Sequence, residues 1–241
     1  VKNHPNGFIG ALVEGKRGVG KSSYCIKVMK EIYQTLLSCD DTTAYQYALK
    51  HILFDMDDII RILREARNQN EVLPVVCWDD AGVHGSNLQW FINMRGIQEL
   101  KSVMDTVRTA VTGLLLNCPD REGLAKVLRG YDDYLVSIIK VNPPYERSAR
   151  GYNIYKLPSG TRRVYRNFED RYSCYLPNWV YKEYMLERMK YLDVALKTVL
   201  QVFLKKTYKF FCNKFIYKSI KTFCLFHKKN TIYLYLCTIL S

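Results

Sequence analysis

The chain has 241 residues, enough for one sizeable α/β domain with an appendage or for two small domains. Its composition, 48% hydrophobic and 24% charged, excludes a disordered chain, and the longest late apolar run, Thr231 to Leu240, is too short to span a bilayer. The formal net charge of +13 sits mostly at the end: no acidic residue follows Asp193, nine lysines do, and +4 remains for everything before them (13 − 9).

In chain order, Phe8 to Val13 is a short apolar run, read as a buried strand leading into a glycine-rich turn. Helical spacing follows from Lys21 to about Leu37 and again from Thr42 to about Lys50, with a short strand at His51 to Phe54. Asp55 or Asp57 caps a helix to about Arg67. Val72 to Trp78 is the next buried strand and ends in Asp79-Asp80. Leu88 to Arg108 reads as helix with a weak point at Gly96, Val111 to Leu116 as a strand closed by Asn117, Asp120 to Leu128 as a short helix, and Tyr134 to Val141 as a strand. Strands and helices alternate, and the strands are continuous apolar runs rather than alternating ones. That pattern predicts a parallel sheet covered on both faces, an α/β fold. The texture changes at Pro143-Pro144: Tyr152 to Leu157 and Thr161 to Phe168 flank Pro158-Ser159-Gly160 as a β-hairpin, and Asn178 starts a long helix from Trp179 to about Lys205. The expected division is a core over 1–142, a hairpin-plus-helix appendage over 143–206 and a basic, aromatic tail over 207–241.

The pattern G-x-x-x-x-G-K-[ST] is matched by Gly15, Gly20, Lys21 and Ser22, between a strand and a helix. Its logic is physical. Glycines let the backbone wrap with N–H groups inward, and the helix N-terminus adds positive potential for phosphates. Gly15, Lys16, Arg17, Gly18, Val19, Gly20, Lys21, Ser22 and Ser23 are therefore the candidate nucleotide-binding residues, with Lys21 reaching the β- and γ-phosphates and Ser22 a Mg²⁺ ligand. A structural glycine turn is the plainer alternative.

Asp79, delivered by an apolar strand, fits the second Mg²⁺ position, and Asp80 stands where the additional-strand class of P-loop ATPases usually has a water-polarising Glu. A helix cap is the plainer reading of this pair. Asn117 ends the next strand, where a polar residue contacts the γ-phosphate or the water, though it is also an ordinary residue before a turn. Lys21, Asp80 and Asn117 are the candidate catalytic residues. Arg95, Arg121 and Arg129 are candidates for acting in trans within a homo-oligomer, and His84 for lining the site. The aromatic stripe Trp179, Tyr181 and Tyr184 reads as helix–core packing rather than base stacking. The eight cysteines show no C-x-x-C spacing, and the start VKNHPNGF has no apolar signal core, so reduced thiols in an intracellular protein are expected.

The runs GKRGVGKSSY, LPVVCWDDAGV, VRTAVTGLLLNCP and LPNWVYKEYMLERMKYL together resemble the DnaA-like P-loop ATPase of archaeal spindle-shaped viruses (fuselloviruses), over about Asn6 to Leu192. The resemblance implies a three-layer P-loop domain of the AAA type and Mg²⁺-dependent ATP hydrolysis. It also implies a role in viral DNA replication or its control in the cytoplasm of the archaeal host, with viral DNA or replication proteins as partners and no membrane. A DNA-packaging or translocation motor and a poorly hydrolysing nucleotide switch are the alternatives. The chain starts close to the first strand, and its end, from about Lys206, is a mix of Lys, Phe, Tyr, Ile, Cys and Leu unlike the polar ends expected. That tail is expected not to pack with the domain; a basic arm for DNA or membrane is the alternative.

Overall fold

The computed structural model describes residues 7–81, 94–131 and 133–193. The chain divides into two units, Val1–Arg188 and Met189–Ser241. The first holds a seven-stranded sheet; of the second, only the helical residues 189–193 are described.

The elements are β1 (Ile9–Glu14), α1 (Lys21–Leu37), α2 (Asp41–Lys50), β2 (Ile52–Leu53), α3 (Met56–Asn68), β3 (Leu73–Trp78), α4 (Met94–Val107), β4 (Val111–Cys118), β5 (Tyr134–Lys140), β6 (Glu146–Lys156) and β7 (Arg162–Ser173). Residues 178–193 are helical. Side chains cap two of the helices as their sequences dictate. Asp40 accepts from the N–H groups of Thr42 and Thr43 at α2, and Asp55, not Asp57, accepts from Asp58 N–H at α3.

The sheet order is β2-β3-β4-β1-β5-β6-β7. β1 pairs in parallel with β4 and β5, and β3 with β2 and β4, so one strand, β4, lies between the strands that end in the P-loop and in Asp79. Side-chain parity explains how both faces are covered. Leu12, Val76, Trp78, Leu114 and Leu116 point to one side, into a core with Ile59 and Ile62 of α3 and Met104 and Val107 of α4. Val13, Val75, Cys77 and Leu115 take the opposite parity, toward α1, which packs on β3 and β4 through buried Cys25, Ile26, Met29 and Tyr33.

Two expectations differ from the structure. Asp120 to Leu128 is not one helix but two short 3-10 turns, Arg121–Gly123 and Leu128–Tyr131. Leu124, Ala125 and Leu128 bury against the sheet as an irregular plug, and Asp120 caps a single turn by accepting from Glu122 N–H. The hairpin strands are also longer than their apolar content suggested. β6 pairs antiparallel with β5 from Glu146's neighbour Arg147 to Asn153, and with β7 along its whole length. Backbone pairing to an existing sheet edge extends strands whose side chains are polar and exposed. The sheet is therefore continuous across the expected boundary at residue 142. The tail 207–241 lies outside the described residues.

Candidate nucleotide site

The site forms at the C-terminal edge of the parallel strands, where crevices in open α/β sheets lie. Gly15 (φ 148°), Gly18 (φ 72°) and Gly20 (φ 99°) turn the chain from β1 into α1. Gly15 is also sterically required: a Cβ there would stand 2.7 Å from the Ile138 carbonyl oxygen of β5. Lys16, Arg17 and Gly18 are exposed and Val19 is buried beneath them. The N-terminus of α1 carries no side-chain cap and no acidic residue in its first turn. Among the described residues its first N–H donors, at Lys21, Ser22 and Ser23, meet no capping side chain, the arrangement that suits an anion.

Lys21 is buried, and its Nζ donates to the carbonyl oxygens of Gly15 at 2.9 Å and Lys16 at 3.3 Å. Burial lowers its pKa, against the opposing charges of Asp80 and Asp79. Strand parity brings the polar residues together. Asp79 continues the Val75, Cys77 side of β3, and Asn117 the Leu115 side of β4, so both face the start of α1. Ser22 Oγ donates to Asp79 Oδ1 at 3.1 Å. Asn117 Nδ2 donates to the same oxygen and, at 3.2 Å, to Ser22 Oγ. Asp79 is fully buried, which raises its pKa, offset in part by a hydrogen bond from Tyr184.

Asp80 sits in the left-handed region (φ 52°), which Asp tolerates better than most residues. Its N–H donates to Asp79 Oδ1 at 3.1 Å, and its carboxylate meets Arg188, whose Nη2 lies 2.6 Å from Oδ2. The structure thus places Gly15 to Ser23, Asp79 and Asn117 at one edge of the sheet, with Asp80 beside them. Arg121 and Arg129 both pair with Glu122. His84 and the side chain of Arg95 lie outside the described residues.

Four contributors were not read from the sequence. Tyr184 Oη donates to Asp79 Oδ2 at 2.6 Å and accepts from Arg188 Nη1 at 3.0 Å. Tyr184 therefore packs in the core against Phe54, as expected of the stripe, and is a site residue as well; Trp179 is part-exposed and packs edge to face on Tyr45, and Tyr181 is exposed. The signal was present as a Tyr and an Arg four apart on one helical face, but nothing local says that carboxylates oppose them. Arg147 of β6 donates from Nε to the Val19 carbonyl at 2.6 Å, and Tyr172 of β7 from Oη to the Gly20 carbonyl at 3.0 Å. The antiparallel strands thus brace the P-loop from outside the parallel core.

The donor set fits a nucleotide with Mg²⁺. Asn117 Oδ1 is buried without a hydrogen-bond partner among the described residues, an acceptor open to a water or a hydrated cation. Among the described residues no group of three or more His, Cys, Asp or Glu could hold a metal. A cation here would rest on Ser22, Asp79, phosphate oxygens and water, the sparse protein coordination that Mg²⁺ tolerates. A separate cavity of about 900 Å³, lined by Phe8, Asp105, Arg108, Tyr131 and Asp133, opens at the opposite edge, where the parallel strands begin.

No family profile matches the chain. Protein B-251 of Sulfolobus spindle-shape virus 1, described as uncharacterized, is 27% identical over 205 residues, covering 82% of this chain and 80% of its own length. This chain is similar to proteins of archaeal viruses. ORF286 of Acidianus two-tailed virus, also described as uncharacterized, is 28% identical over 162 residues, 66% of this chain and 53% of that protein. Among solved structures, the DNA-packaging ATPase B204 of Sulfolobus turreted icosahedral virus is similar, with 11% identity, a TM-score of 0.41 and coverage of 69% of this chain and 100% of that one. The genome packaging NTPase B204 of Sulfolobus turreted icosahedral virus 2, in complex with ATP-gammaS, gives 14% identity and a TM-score of 0.38 over 67% and 97% of the two chains.

Proposed function

We propose that the chain is a Mg²⁺-dependent ATPase whose turnover drives work on viral DNA in the archaeal host cell, as a packaging or translocation motor. The observation that carries the ATPase reading is the convergence of Lys21, Ser22, Asp79 and Asn117, from the P-loop and two neighbouring strands, around one edge of the sheet. In this reading the backbone of Gly15 to Ser23 holds the phosphates, and Lys21 balances the charge on the β- and γ-phosphates. Ser22 and Asp79 hold Mg²⁺, which supplies charge neutralisation on the phosphates. Asp80 orients the attacking water, and Asn117 touches the γ-phosphate or that water.

The ion pair between Asp80 and Arg188 supports regulated rather than constitutive turnover. While Arg188 holds Asp80, a counter-ion occupies the carboxylate that would polarise the water, so turnover would rise when a partner or substrate draws Arg188 away. A motor stimulated by DNA needs such a restraint. The DnaA-like replication role implied by the sequence resemblance stands second; the relatives named above carry no such description. Among the described residues no helix is long and apolar enough to cross a membrane.

The test is phosphate release by purified full chain, with and without viral duplex DNA of increasing length. Lys21→Ala is expected to lower turnover by about 100-fold or more, the scale of losing a charge-stabilising donor; retention of full turnover would overturn the ATPase reading. Stimulation that grows with duplex length supports the motor, and stimulation independent of length supports a replication role. Tight ATP binding without phosphate release, unchanged by Asp80→Asn, would show a switch instead.

A further inference from the structure

The β6–β7 hairpin has two ends of different character. At one end Arg147 and Tyr172 hold the P-loop carbonyls of Val19 and Gly20. The other end runs beyond the last β5 pairing, Tyr134 with Asn153, toward the opposite edge of the sheet. There the loop Leu157 to Thr161 is closed by backbone bonds from Leu157 N to Thr161 O at 2.8 Å and from Gly160 N to Leu157 O at 2.9 Å.

From residue 153 to 168 this distal half carries Lys156, Arg162, Arg163 and Arg166 and no Asp or Glu; Glu169, just beyond it, pairs with Arg166, so a DNA phosphate would take the place of that exposed carboxylate. β7 is the edge strand, and it is exposed from Arg162 through Arg171. The register places Tyr155 opposite Arg163 and Asn153 opposite Tyr165 on one face, with Arg162 and Arg166 on the other. Tyr155 and Tyr165 pack edge to face, with ring centroids 5.7 Å apart, and remain about half exposed, at 53% and 51%. The aromatic pair stiffens a ribbon that nothing else covers among the described residues.

We infer that the distal half of the β6–β7 ribbon is a sequence-independent grip on the phosphate backbone of duplex DNA. The inference rests on the reading of the chain as an ATPase that works on DNA, and it names the surface that does so. Charge decides the occupant. An all-cationic tip with arginines on both faces matches a groove walled by two phosphate strands, and the major groove, about 12 Å wide, admits a two-stranded ribbon. A second copy of the chain meeting this one tip to tip fits poorly, because it sets Arg162, Arg163 and Arg166 against their own counterparts. Since the same two strands also brace Val19 and Gly20, the ribbon would connect the DNA to the phosphate-binding loop through one hairpin.

The experiment is fluorescence anisotropy of a labelled 30-base-pair duplex (about three helical turns) with the full chain, across a range of KCl concentrations. Arg163→Ser/Arg166→Ser is expected to raise Kd at least about tenfold at moderate salt and to reduce the salt slope by about two, one for each lost phosphate contact. The pair Arg163→Lys/Arg166→Lys should restore binding, since a backbone contact needs charge rather than a fork. ATP binding and thermal stability should stay as in the wild type in both variants. Unchanged Kd and slope in the Ser variant would overturn the assignment, as would a single strand of equal length binding more tightly through the same arginines, or a loss of self-association in place of DNA binding. A wild-type chain that binds no duplex would overturn the ribbon and the DNA reading together, while the ATPase reading stands or falls separately on Lys21→Ala.

Discussion

At the scale of single residues, Asp79 governs the site because it is a carboxylate with no access to water. Its Oδ1 is satisfied by Ser22 and Asn117 and its Oδ2 by Tyr184, whose own hydroxyl is kept protonated by burial and by the neighbouring Asp79 charge. Tyr184→Phe removes that donor and leaves a buried charge short of one bond, at a cost of about 1–3 kcal/mol. The expected outcome is a lower melting temperature in the absence of ligand and a several-fold weaker Mg²⁺-ATP affinity by titration calorimetry; wild-type values in both would show that the contact does not position Asp79. Arg188 makes a different prediction. Its pair with Asp80 is part-exposed on both sides, so screening leaves it worth no more than about 1 kcal/mol of stability. Arg188→Met should therefore leave the melting temperature nearly unchanged and raise DNA-independent ATP turnover, measured by phosphate release. A fall in that turnover would mean that Arg188 assists hydrolysis rather than restraining it.

At the scale of elements, the P-loop is held from two directions. β1 and α1 fix its ends in sequence, and β6 and β7 fix its middle through Arg147 and Tyr172. Arg147 is buried and donates to three carbonyl oxygens, those of Val19, Pro144 and Glu146. Arg147→Met keeps much of the aliphatic volume and removes all three bonds. We expect a loss of about 2–3 kcal/mol in denaturant unfolding, with weaker ATP binding because Val19 is no longer fixed. The brace explains why the hairpin borders the candidate nucleotide site although its sequence is mostly polar. Pattern reading places a hairpin at 152–168, yet it cannot see the proximal pairing of 146–151, because backbone hydrogen bonds to β5 carry no side-chain signature.

At the scale of the whole molecule, pH acts through a buried histidine. His51 closes α2, shares a 2.7 Å hydrogen bond with Tyr33 Oη, and burial with the nearby Lys50 charge lowers its pKa to about 4. Tyr33 Oη donates to the Val75 carbonyl, so the neutral imidazole donates from Nδ1. The folded pKa lies below the ordinary value near 6.5, so the unfolded chain binds the proton first. Its stabilising contribution is complete above about pH 6.5 and is lost as pH falls toward about 4, a loss on the order of 3 kcal/mol. Denaturant unfolding between pH 7 and 4 should show that slope, and His51→Gln should flatten it; an equal slope in the variant would place the titration elsewhere.

The sequence by itself determined the α/β class, the strand that carries each candidate residue, and the P-loop with its lysine and serine. These follow from local rules: apolar runs of strand length, helical spacing, and a glycine pattern between strand and helix that suits a phosphate-binding turn. It also placed Asp79 just past the end of β3 and Asn117 near the end of β4, which runs one residue further to Cys118, since a polar residue after an apolar run is visible in one dimension. The tertiary structure alone decided that these two share a face, that Asp80 is turned to Arg188, and that Tyr184, Arg147 and Tyr172 complete the surroundings. Those facts depend on strand order and on contacts between residues more than 100 positions apart, as with Tyr184 and Asp79 or Arg147 and Val19. No local preference encodes such a meeting; it follows from how the sheet is assembled.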